Sequence, residues 1–159
     1  MKVIIAGGGI GGLTTALMLH ARNMDVQVYE TAATIREAGV GINILPHAIR
    51  ELEGLGLLGV LDKVGLRTKS LTYFTKSGQE VWSELRGMHA GHEVPQFSIH
   101  RGRLQKLLFN ALLERAGPNA VVTGRRLAGF VQNEGGVTAN FVDTLEGAGG
   151  ITAQSDVLV

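Results

Sequence analysis

At 159 residues the chain has the length of one domain and enough residues to bury a sizeable core. Fifteen Lys and Arg against fourteen Asp and Glu leave a net charge of +1, and no basic run stands out, so nucleic acid is not an expected partner. The absence of cysteine excludes a disulfide framework, a thiolate metal site and a cysteine nucleophile, and it fits a cytoplasmic protein. No uninterrupted apolar window of about eighteen residues exists, so no membrane span is expected. Nothing in the pattern specifies an oligomeric state.

The Lys2–Ala6 run is apolar and rich in β-branched residues, which reads as a buried strand. Gly7-Gly8-Gly9-Ile10-Gly11-Gly12 follows at once, with Gly7, Gly9 and Gly12 at the marked positions of G-x-G-x-x-G. Residues 10–22 are helical in pattern, with Leu13, Ala16, Leu17 and His20 on one side, and residues 26–30 alternate as a second strand. Glycines alone mark many ordinary turns; the strand before them and the helix after give this run its meaning. In that setting Gly7 permits a tight turn, Gly9 lets a pyrophosphate reach the backbone, and Gly12 lets helix and strand pack closely. The helix N-terminus, beginning at Ile10, offers unpaired N–H groups and partial positive charge to phosphates. Glu30, eighteen residues past Gly12, is placed to accept hydrogen bonds from a ribose hydroxyl. Asn23 stands where such units usually carry glycine, and Asn is the next most tolerant residue of a left-handed helix end.

Further on, Gly39 and Gly41 flank an extended segment, as if the backbone passed close to something bulky. Arg36 is placed to reach a phosphate or a ribityl chain, or is a solvated surface arginine; the residues alone leave both open. Pro46 opens a helix to about residue 55 with Ile49, Leu52 and Leu55 on its apolar face, and residues 57–64 form a second. Residues 71–74 and 80–83 form a hairpin around Lys76-Ser77-Gly78. Its Trp82 is expected in the core sooner than on the wall of an aromatic pocket. His89 and His92 lie in a glycine-containing loop with no third ligand close in sequence, so no metal site is expected.

Phe97–His100 reads as a strand, and Arg101–Ala116 as an amphipathic helix with Leu104, Leu107, Leu108, Ala111 and Leu112 at helical spacing. A cation at its N-terminus opposes the helix dipole by ~0.3–1 kcal/mol, so Arg101 makes sense if an anionic ligand shares the site. The remainder is β-rich: residues 120–122 are short, 126–132 and 137–142 pair across 133–136, and 151–154 follow a glycine loop. This predicts an antiparallel meander covering the sheet. Residues 155–159 open a further parallel strand, and in such sheets ligand contacts come from loops past the strands. The chain is therefore expected to be the amino-terminal part of a longer enzyme.

Together the glycine turn with Glu30, the stretch from Ile35-Arg36-Glu37 to Gly41-Ile42-Asn43-Ile44-Leu45-Pro46, the Gly54-Leu55-Gly56-Leu57 helix end and Arg101-Gly102-Arg103-Leu104 resemble one family. It is that of the class A flavoprotein monooxygenases, the FAD-dependent aromatic hydroxylases of the p-hydroxybenzoate and salicylate type. Val81-Trp82-Ser83-Glu84 and Ser98-Ile99-His100-Arg101-Gly102 are most similar to its phenazine-modifying branch. The resemblance covers essentially the whole chain. It implies an α/β fold, in which a Rossmann-like parallel sheet and an antiparallel meander are interleaved with part of a substrate-domain sheet. Residues 1–159 are then an FAD-binding domain, with 65–100 contributing to the substrate sheet.

The same resemblance implies that Gly7, Gly9, Ile10, Gly11 and Gly12 hold the FAD pyrophosphate and Glu30 the adenosine ribose. It puts Arg36 and Arg101 at the ribityl and phosphate region, Gly41 and Ile42 near the isoalloxazine ring, and the Leu127 backbone at the adenine. NAD(P)H would reduce the flavin, dioxygen would be captured as a C4a-hydroperoxide, and an aromatic or heteroaromatic substrate would be hydroxylated. No side chain of this chain is assigned an acid–base role. Two alternatives stay open: another FAD- or NAD-dependent oxidoreductase, and a non-catalytic FAD-binding fragment.

Overall fold

The computed structural model describes residues 1–145 and 149–159. In chain order it contains β1 (Lys2–Ala6), α1 (Ile10–His20), β2 (Asp25–Tyr29), β3 (Gly41–Ile44), α2 (Pro46–Gly54), α3 (Leu58–Val64), β4 (Leu66–Arg67), β5 (Ser70–Phe74) and β6 (Glu80–Leu85). There follow β7 (Phe97–His100), α4 (Arg101–Ala116), β8 (Val121–Val122), β9 (Arg125–Asn133), β10 (Gly136–Asp143), β11 (Gly150–Ser155) and β12 (Val157–Leu158). The chain divides into two compact units, Met1–Glu37 with Gln105–Val159, and Ala38–Leu104.

The first unit is built on a four-stranded sheet in the order β12-β1-β2-β8, with every pair parallel. Val3, Ile4 and Ile5 of β1 are all buried, which is why that strand reads as a continuous apolar run instead of alternating. On α1, Leu13, Ala16 and Leu17 are buried at i, i+3, i+4 spacing. Helix α1 ends as Asn23 takes a left-handed φ of 59°, and the Met24 N–H returns to the Leu19 carbonyl at 3.2 Å.

The meander is present as a three-stranded antiparallel sheet, β11-β10-β9. Gly136 pairs with Asn133, so the β9–β10 turn is tighter than the four-residue connection expected. A bulge at Asn140/Phe141 interrupts the ladder opposite Gly129 and Leu127. Val137, Ala139 and Phe141 alternate inward, and Ala139 and Phe141 join Ile4 and Tyr29 in one core cluster with Leu127 and Leu158 packed against it. The expected glycine loop before β11 includes residues 146–148, which lie outside the described residues.

The second unit pairs β3 and β4 with opposite edges of β7, all antiparallel, and buries Ile44, Ile49, Leu52, Leu61, Phe97 and Ile99. Strands β5 and β6 form a separate two-stranded sheet. The expectation that Trp82 is a core residue fails there. Its side chain remains 45% exposed and touches the Tyr73 ring across the hairpin, with centroids 5.7 Å apart. A two-stranded ribbon has no second layer of its own to bury that face. No described helix is long and apolar enough to cross a membrane.

Candidate functional site

The glycine turn lies where β1 passes into α1. The Gly7 N–H still donates to the Tyr29 carbonyl at 2.8 Å, continuing the parallel ladder. Gly7 then takes φ +128°, a conformation that side chains rarely adopt. A Cβ on Gly12 would stand 2.0 Å from the Gly7 carbonyl oxygen, so only glycine lets α1 begin against the turn. A Cβ on Gly9 would meet nothing within 4 Å. Backbone there faces open space, which suits the close approach of a ligand.

Gly9 is the extended N-cap of α1, with no side-chain cap and no acidic residue in the first turn. The helix ladder starts with the Leu13 N–H on the Gly9 carbonyl at 2.9 Å. The N–H groups of Gly9, Ile10, Gly11 and Gly12 therefore have no acceptor among the described residues. Four donors without an acceptor and the positive end of an eleven-residue helix are an arrangement that can receive an anion.

Two side chains hold the turn. Glu30 Oε2 accepts the Gly8 N–H at 2.6 Å, and its Oε1 accepts the Ala32 N–H at 2.7 Å. Each carboxylate oxygen keeps acceptor capacity for a ribose hydroxyl. From α4, Gln105 Nε2 donates to the Gly8 carbonyl at 2.7 Å.

Beside the turn, a cleft of about 260 Å³ is lined by Gly7, Tyr29, Thr31, Arg125, Arg126 and Leu127, among others. Arg125 is ion-paired with Asp143, while Arg126 is exposed and has no ion pair among the described residues. One cation of the cleft is thus neutralised and the other left for an incoming anion. Tyr29 donates its hydroxyl to Gln27 Oε1 at 2.9 Å, and burial pushes its pKa up.

In the second unit, Gly41 and Ile42 pair with His100 and Ile99, and the Arg101 N–H donates to the Val40 carbonyl at 3.0 Å. The Arg101 side chain lies across Gly39, where a Cβ would come within 2.9 Å of Nε. These three expected residues, Gly41, Ile42 and Arg101, therefore share one neighbourhood. Gly7, Gly9, Ile10, Gly11, Gly12 and Glu30 share the turn of the first unit, with Leu127 at the adjoining cleft. Arg36 is exposed, 3.4 Å from Thr34 Oγ1, and no hydrogen bond or ion pair joins it to the turn.

Sequence reasoning missed Gln105, Arg126 and Tyr29. Gln105 had a signal: it is a polar residue set between the core positions Leu104, Leu107 and Leu108 of α4. Arg126 stands directly before Leu127, with only the pairing of β9 to show what it borders.

A family profile described as an FAD binding domain matches residues 1–155. Over 158 residues the chain is 42% identical to phenazine 1,6-dicarboxylic acid hydroxylase PhzS of Lysobacter antibioticus, covering 99% of this chain and 39% of that protein. It is 28% identical over 162 residues to 3-amino-4-hydroxybenzoate 2-monooxygenase of Streptomyces cremeus, covering 100% and 39% respectively. The chain thus spans about two fifths of the length of these relatives. Among solved structures, the flavin-dependent monooxygenase PieE in complex with FAD and substrate superposes with a TM-score of 0.83 at 21% identity, over 99% of this chain and 30% of that one. Klebsiella pneumoniae HpxO complexed with FAD and uric acid gives 0.77 at 24%, over 99% and 38%. At these identities the likeness is one of fold.

Proposed function

We propose, from the fact that this chain belongs to the FAD-binding domain family, that it holds FAD as part of a monooxygenase hydroxylating an aromatic or heteroaromatic small molecule. NAD(P)H and dioxygen are the co-substrates of that reaction, and the cytoplasm is its location. The observation that carries the reading is the row of unpartnered N–H groups from Gly9 to Gly12, open to a ligand at Gly9 and free of acidic neighbours in the first helical turn. That arrangement fits a pyrophosphate.

In this reading Gly7, Gly9, Ile10, Gly11 and Gly12 receive the pyrophosphate and Glu30 the adenosine ribose, while the Leu127 backbone borders the adenine. Arg36 and Arg101 serve the ribityl and phosphate region; Gly41 and Ile42 serve the isoalloxazine ring. Bound FAD would supply electron transfer from NAD(P)H and activation of dioxygen, the chemistry that side chains lack. The protein's own share is to bind, orient and neutralise. Residues 65–100 are assigned to the substrate-domain sheet of an otherwise FAD-binding chain, an assignment supported by the exposed Tyr73–Trp82 pair.

Hydroxylation belongs to the whole protein, since the chain spans about two fifths of its relatives' length. Titrating the flavin-free chain with FAD, followed by flavin fluorescence and visible absorbance, tests the reading. Saturable FAD uptake with little NAD competition is expected. NAD binding without flavin uptake would point to a dehydrogenase and overturn the assignment. For the 159-residue chain by itself, flavin binding without substrate-stimulated NADPH oxidation is the expected result.

A further inference from the structure

We propose that Gln105 is a positioning residue for the dinucleotide pyrophosphate: it sets the direction of the Gly9 N–H by holding the carbonyl of the same peptide. The inference rests on the FAD reading above. A peptide unit is planar and trans, so its C=O and N–H point in opposite directions. The Gly8 carbonyl and the Gly9 N–H belong to one such unit. Gln105 Nε2 donates to that carbonyl at 2.7 Å, which turns the Gly9 N–H away from Gln105, where it meets no acceptor among the described residues.

The preceding unit is fixed in the same manner from the other side. Glu30 Oε2 takes the Gly8 N–H at 2.6 Å, so the Gly7 carbonyl points the opposite way, to the place where Gly12 has no side chain. Both peptide planes of the turn are therefore pinned through Gly8, one by a carboxylate acceptor and one by an amide donor. Glycine-rich backbone is otherwise the most conformationally free in a chain. Without Gln105 no hydrogen bond among the described residues holds the second plane, and Gly9 samples orientations that do not meet the phosphate. Preorganised donors bind more tightly because the ordering cost is met before the ligand arrives.

Gln105 is suited to this work by its surroundings. It is half-buried on α4, one residue after the buried Leu104 and three before the buried Leu108, and its amide makes the bond to Gly8. Its contribution is to the direction of another group, with no contact to the reacting atoms.

Gln105→Met keeps length and burial and removes the donor; Gln105→Glu keeps shape and replaces the amide donor with an acceptor at neutral pH. Both are titrated as the full flavin-free chain with FAD and, separately, with ADP, which carries the pyrophosphate without a flavin. Thermal unfolding of the flavin-free chain and the Gly9 amide ¹H–¹⁵N signal are recorded in parallel. The expected result is a loss of about tenfold in affinity for both ligands, the scale of one net hydrogen bond, with a shifted Gly9 signal and nearly unchanged unfolding of the Met variant. Wild-type affinity for FAD and ADP in a folded Met variant overturns the inference and leaves the FAD reading standing. Failure of the wild-type chain to bind either ligand overturns both. Should the Met variant unfold, the Glu variant decides by the same two affinities.

Discussion

Tyr29 and Phe141 stack with ring centroids 4.0 Å apart and planes 15° from parallel, tying the end of β2 to β10 where it faces the bulge of β9. Both rings are buried, at 5% and 1% exposure, so this contact is where the meander is fastened to the parallel sheet. Tyr29 also gives its carbonyl to the Gly7 N–H, which places the stack one residue from the glycine turn. Phe141→Ala leaves a cavity in the cluster with Ile4 and Ala139 and should destabilise the chain by about 3–5 kcal/mol. Denaturant unfolding measures this, and FAD affinity should fall with it as Leu127, which faces Phe141 across the ladder, loses its support. Stability within about 1 kcal/mol of wild type would show that the meander is held elsewhere.

The strands and helices of the first unit were legible because their burial follows local rules. Val3, Ile4 and Ile5 of β1 are apolar on both faces, α1 repeats at 3.6 residues, and Asn23 ends the helix in a left-handed conformation that Asn tolerates better than most residues with a side chain. The glycines were legible for the same reason, since turn, close approach and helix packing each need a residue without Cβ. What stayed hidden depends on contacts between distant positions. Gln105 and Gly8 are 97 residues apart, and no period in the sequence joins them. Trp82 was misplaced because alternation shows which residues share a face of a strand but not whether a second layer covers it.

Gly9 and Gly12 separate binding from folding within one turn. Gly9→Ala puts a methyl group into open space, so the chain should fold normally and lose FAD affinity by tenfold or more, ~1.4 kcal/mol. Gly12→Ala puts the same methyl group 2.0 Å from the Gly7 carbonyl oxygen, and α1 must move away from the turn. That variant should be less stable even without ligand, by about 1–3 kcal/mol for overpacking. Circular dichroism melts and FAD titrations of the two proteins check the contrast. Equal melting temperatures would mean that the close approach at Gly12 is not tight.

Glu30 and Arg101 should matter for FAD where His89 does not. Glu30→Ala removes the carboxylate we propose for the ribose and frees the Gly8 N–H together. Arg101→Ala removes an exposed cation that makes no ion pair among the described residues. His89 lies exposed in a short 3₁₀ turn with no assigned ligand. Losses of about 1–3 kcal/mol in FAD binding are expected for the first two, on the scale of a charged hydrogen bond, and near zero for His89→Ala. Flavin retained equally by all three variants would contradict the residue assignment.

Tyr29 gives the chain an alkaline limit. Burial disfavours its phenolate, so its folded pKa lies above the ordinary 10.0 that it recovers on unfolding. As pH rises, the unfolded chain loses that proton first and binds fewer protons than the native one, so stability falls with pH in this window. The contribution is fully present below about pH 10 and is lost as pH climbs through the raised folded value. Tyr29→Phe keeps the ring against Phe141 and removes only the hydroxyl and its bond to Gln27. Denaturant midpoints followed from pH 8 to 11 should therefore fall more steeply for wild type than for this variant, because other alkaline groups are common to both. Phenolate absorbance in the native wild type should rise later than in the unfolded chain, and the late component should vanish in Tyr29→Phe. Identical pH profiles for the two proteins would mean that the Tyr29 hydroxyl reaches water freely and that the stack with Phe141 does not seal it.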